Sequence, residues 1–90
     1  MICRLELHIP GAANLKEKRS IMQSLIRRLR DRFNVSVAEV GSQDLWQRAE
    51  LGVAAVCQNH SGADRVMQQI LSFIEAGGNV EIIASHSEIY

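Results

Sequence analysis

Two stretches of this chain, residues 14–33 and 61–76, repeat apolar residues at helical spacing with polar ones between, so each makes a helix with one stripe to bury. In the first, Leu15, Met22, Leu25, Ile26, Leu29 and Phe33 form the stripe; in the second, Val66, Met67, Ile70, Leu71 and Ile74 do. Two one-sided helices within 90 residues need a shared apolar surface, and what remains of the chain is short enough only for strands.

The strand signals fall where such a surface requires them. From Ile2 to Pro10, Cys3, Leu5, Leu7 and Ile9 alternate with Arg4, Glu6 and His8, the pattern of a strand with one buried face. Pro10-Gly11 ends it. Val35 to Val40 is β-branched and short, Gly41 to Gln47 is a polar connection, and Glu50 to Gln58 reads as a central strand with small apolar residues on both faces. Val80 to Ala84, or slightly beyond, is the last strand. Asn14 caps the first helix, with Glu17 completing a capping box. After a turn at Asn59 to Gly62, Ser61 caps the second helix with Asp64 as partner, and Gly77-Gly78 stops it. The order is β-α-β-β-α-β. It predicts one α+β domain over residues 1–90, a ferredoxin-like sandwich. Its four-stranded antiparallel sheet has strand order 4-1-3-2, with both helices on one face.

No apolar run is long enough to cross a membrane, and the alternating N-terminus lacks the continuous apolar region of a signal peptide, so the cytoplasm is the expected compartment. Cys3 and Cys57 are spaced like neither a zinc site nor a redox pair and are expected to be free thiols, close neighbours if both sit in paired strands. The formal net charge is zero, but it is unevenly spread. Between Asn14 and Phe33 seven basic residues meet only Glu17 and Asp31, a net of +5, and the rest of the chain carries −5.

That basic helix is the main functional candidate. Lys16, Lys18, Arg19, Arg27 and Arg30 are candidate RNA or phosphate contacts, because cations clustered on one surface can meet successive phosphates. The plainer reading is a solvated helix face. Lys18 falls close to the apolar stripe; either its stem packs and its head stays in water, or it helps hold a phosphate at the helix N-terminus. Trp46, the sole tryptophan, covers the edge of the core or else stacks on a base or a partner. Phe33, Phe73 and Tyr90 are not placed to give the sheet the paired aromatics of an RNA-recognition motif. His8, His60 and His86 lie in different elements without ligand spacing, so neither metal nor other cofactor is expected.

Three motifs carry a family resemblance: Leu15-Lys16-Glu17-Lys18-Arg19, then Phe33-Asn34-Val35-Ser36-Val37-Ala38-Glu39-Val40, then Asp44-Leu45-Trp46-Gln47-Arg48-Ala49. In that order the chain resembles the YlxP-like family of small bacterial proteins over nearly its whole length. The resemblance implies a ferredoxin-like fold. It also implies a translation or ribosome-maturation setting, because the family's genes often sit beside those for a translation initiation factor and a ribosome-binding factor. Small acylphosphatases share the expected fold and length but use an arginine in a glycine-rich phosphate loop. The corresponding turn here, Pro10 to Asn14, has none, so a hydrolase ranks last. The expected function is non-enzymatic binding of RNA or a ribosomal particle through the first helix. The alternative is an oligomerising or small-ligand-sensing module that uses the open sheet face around Ala54 and Val56.

Overall fold

A computed structural model describes residues 1–88; Tyr90 lies outside them. The element order is β1 (Ile2–His8), α1 (Leu15–Arg32), β2 (Ser36–Gly41), β3 (Arg48–Ala54), α2 (His60–Ala76) and β4 (Glu81–Glu88). The sheet runs β2-β3-β1-β4 with every neighbouring pair antiparallel, as the β-α-β-β-α-β succession predicts. The alternating side chains of β1 explain its central place. Cys3, Leu5 and Leu7 point to one face and are at most 1% exposed, against Ala49, Leu51 and Val53 of β3 and Val37 of β2. Met22, Leu25 and Leu29 of α1 and Met67, Ile70 and Ile74 of α2 close the same core, so both helices cover one face of the sheet. Burying each of these larger side chains stabilises the fold by about 1.5–3 kcal/mol. Phe33 meets Phe73 edge to face, centroids 5.7 Å apart, and ties the ends of the two helices together.

Three local expectations are corrected. β3 starts at Arg48, opposite His8, and ends at Ala54, opposite Ile2, rather than running from Glu50 to Gln58. Pairing stops there on both sides: Ala54 lies opposite Ile2 of β1 and Ser36 of β2, and the Ala55 N–H donates to the Met1 carbonyl just beyond. Val56 and Cys57 therefore leave the sheet. Cys57 is not beside Cys3, whose cross-strand neighbours are Val53 and Ser87. Ser61 is not the cap of α2; Asn59 is, its Oδ1 accepting the Gly62 N–H at 2.8 Å. Gly78, at φ 77°, makes the left-handed turn that follows the helix. β4 runs on to Glu88 because Ile2–Arg4 of β1 offers it pairing partners.

Both cysteines are free, and burial pushes the Cys3 thiol up to about 11. A neutral-pH alkylating reagent is expected to modify only Cys57 in the folded protein and both thiols after unfolding, counted by mass spectrometry. Because the unfolded thiol ionises first, the stabilisation from a protonated Cys3 is complete below about pH 9 and is lost as the pH rises towards 11.

Candidate nucleic-acid interface

Helix α1 begins as its sequence predicts. Asn14 Oδ1 accepts the Glu17 N–H at 2.9 Å, and Glu17 Oε2 accepts the Ala13 N–H at 2.8 Å. The carboxylate of Glu17 thus already occupies the positive end of the helix, and a phosphate there would meet a negative charge. The reading of a phosphate held at this N-terminus loses its site.

Lys18 is corrected more sharply. Its head is not in water; the residue is fully buried, at 0% exposure, within the apolar stripe of α1. Its ammonium lies 2.5 Å from Glu39 Oε2 and donates to the Ser42 carbonyl at 3.0 Å. Glu39 Oε2 is itself buried and meets no other hydrogen-bond donor among the described residues. Glu39 faces the helices because it alternates with Ser36, Ala38 and Val40 on edge strand β2, which places a carboxylate where the lysine arrives. Lys18 is thereby taken up by the fold and is not a surface cation.

The remaining candidates lie along one flank of α1. Lys16, Arg19, Arg27 and Arg30 recur three to eight residues apart on the side bordering β2, with Gln23 in the gap, over about 21 Å of helix. All four are exposed. Lys16, Arg19 and Arg27 have no ion-pair partner among the described residues. Arg30 differs: its Nη2 donates to the Val37 carbonyl at 2.8 Å, closing an outward acceptor of the edge strand. A shallow groove of about 490 Å³ runs between helix and strand, lined by Gln23, Ile26, Arg27, Arg30, Asp31, Val37 and Ala38. Arg30→Ala is expected to cost about 1 kcal/mol in urea unfolding and Arg27→Ala less than about 0.5, because only the first removes a hydrogen bond.

The β2–β3 connection lies at the N-terminal end of α1. Ser42 stands in the left-handed region at φ 58°, a conformation that costs a non-glycine residue about 1–2 kcal/mol. Its carbonyl accepts both the Lys18 ammonium and the Leu45 N–H. At the other end of the loop the Gln47 carbonyl accepts the Ile9 N–H, and Gln47 Nε2 donates to the Ala12 carbonyl. Between these anchors Leu45 is 53% and Trp46 51% exposed, so Trp46 does not cover the core. With Asp44, Gln47 and Arg48 they line a depression of about 280 Å³. Two residues here escaped the sequence reading. Arg48 was legible as the cation two places after Trp46. Glu39 was legible only through Lys18, since a lysine on an apolar stripe calls for an acidic partner.

The open sheet face divides in two. Ile2, Ala38, Val40, Gly52 and Ala54 line an apolar depression of about 400 Å³ at the β2 side, where the missing Cβ of Gly52 leaves room for the Val40 side chain. Towards β1 and β4 the face carries Arg4 near Glu50 and His8 bonded to Glu81 at 3.2 Å. Val56, expected on this face, lies beyond the end of β3.

The model of a protein family described as "Protein of unknown function (DUF503)" matches residues 1–87. Over 83 residues the chain is 36% identical to the "Uncharacterized protein YlxP" of Bacillus subtilis (strain 168), covering 92% of this chain and 90% of that one. With the same fold expected of the resemblance and a match over nearly its whole length, the chain belongs to the DUF503 family, the family of YlxP.

Proposed function

We propose that this is a non-enzymatic binding protein for RNA or a ribosomal particle, acting in the cytoplasm in translation or ribosome maturation, with Lys16, Arg19 and Arg27 as its phosphate contacts. The observation that carries the reading is that these three cations are exposed, with no ion-pair partner among the described residues, along one helix flank of a chain with no net charge. Structural cations are spent within a fold, as Lys18 is; these are not. Among the described residues no helix is long and apolar enough to cross a membrane. The translation setting that the family resemblance implies favours RNA over other polyanions. Crosslinking in cells followed by sequencing of the bound RNA tests the proposal. The parent is expected to recover defined RNA, and K16Q/R19Q/R27Q to recover little. Equal recovery from both contradicts it.

The apolar depression on the open face favours a second reading, a homo-oligomer formed through that face. That depression lies at the β2 end, and an interface over the whole face would bury Arg4, Glu6, His8 and Glu50, so this reading is the weaker. A monomer by sedimentation equilibrium at high protein concentration excludes it.

A further inference from the structure

We infer that Trp46 is a base-stacking platform for single-stranded RNA and that buried Lys18 is the positioning residue that holds it. The inference rests on the RNA reading above and names the ligand class. Trp46 is half exposed although the core is complete without it, and Leu45 and Arg48 line the same depression. An exposed indole in a depression that a cationic residue also lines suits an unstacked base and its phosphate; the bases of a duplex are already stacked and offer no face to it. The loop that carries Trp46 is tied at both ends, by Lys18 to Ser42 and by Gln47 to Ile9 and Ala12. Three costly features meet at the first tie: a wholly buried ammonium, an inward carboxylate on an edge strand, and a serine in the left-handed region. All three fix the path of the loop where it leaves β2, four residues before Trp46. The same tie places the loop at the end of α1 from which the cationic flank runs towards Arg30.

The test uses a uridine-rich single-stranded oligonucleotide and a duplex RNA, with binding followed by quenching and polarisation of Trp46 emission and, for variants lacking the indole, by a label on the RNA. The parent is expected to prefer the single strand. Trp46→Ala is expected to weaken single-strand binding about tenfold and to leave duplex binding nearly unchanged. K18M/E39L exchanges the buried pair for apolar side chains and leaves the Ser42 carbonyl its Leu45 N–H. It is expected to stay folded by circular dichroism, to lower the polarisation of Trp46, and to lose the preference for single strands. K16Q/R19Q/R27Q serves as the contrast, losing affinity for both RNAs without a change in Trp46 polarisation. If Trp46→Ala binds the single strand as tightly as the parent, or if K18M/E39L leaves both polarisation and preference unchanged, the inference is overturned while the cationic flank stands. If the parent binds neither RNA at low salt, the inference and the RNA reading both fall.

Discussion

Lys18→Met is expected to lower the unfolding free energy by about 3 kcal/mol, and Glu39→Leu by about 4–5 kcal/mol, because each leaves its partner's charge buried without a counterion. The order follows from exposure. The Glu39 side chain keeps 18% of its surface and can turn towards water, whereas the Lys18 side chain has none. A domain of this size has about 5–15 kcal/mol to lose, so either variant is conspicuous in urea unfolding. The double variant K18M/E39L is expected to be more stable than either single one, since removing both charges together also removes the burial penalty. Additive losses in the double-mutant cycle would mean that the two groups do not act as a pair.

The second large effect is on binding. K16Q/R19Q/R27Q keeps helix propensity, since glutamine and the replaced residues rank closely, and these exposed cations have no ion-pair partner among the described residues to lose. Thermal stability should change little. Binding to RNA or ribosomal particles should fall by up to about 100-fold at low salt, taking up to about 1 kcal/mol for each solvent-exposed contact. Arg30 is left out of the set because its guanidinium bonds the Val37 carbonyl, so replacing it would mix loss of contact with a loosened sheet edge.

The element order and the shared core were legible because they depend on periodicity, which single residues carry: Cys3, Leu5 and Leu7 alternate, and Met22, Leu25 and Leu29 recur at helical spacing; the strand order then followed from the β-α-β-β-α-β succession. The end of β3 was not, because Val56 and Cys57 are as strand-like as Val53; its pairing with both neighbours stops at Ala54, opposite Ile2 of β1 and Ser36 of β2, and no local property of the residues marks that point. The cap of α2 was missed for a similar reason. Asn59 and Ser61 are both good caps, and only the path of the chain out of the sheet decides between them. Of the candidate site, the exposed flank of Lys16, Arg19 and Arg27 follows from helix geometry alone. The burial of Lys18 does not, since its partners lie on β2 and in the following loop, over twenty residues away along the chain. Arg30 shows the same limit: a cation on the right flank is indistinguishable in sequence from one committed to a strand edge.

The most direct measurement of the central claim is the salt dependence of RNA binding, with log Kobs plotted against log salt for the parent and for K16Q/R19Q/R27Q. Each single-strand phosphate contact contributes about 0.7 to the slope and each duplex contact about 0.9. The account predicts that the variant's slope is shallower by about 2 to 3, with the two lines converging at high salt. Equal slopes and equal affinities at every salt concentration would show that the flank of α1 is a solvated surface and carries no RNA.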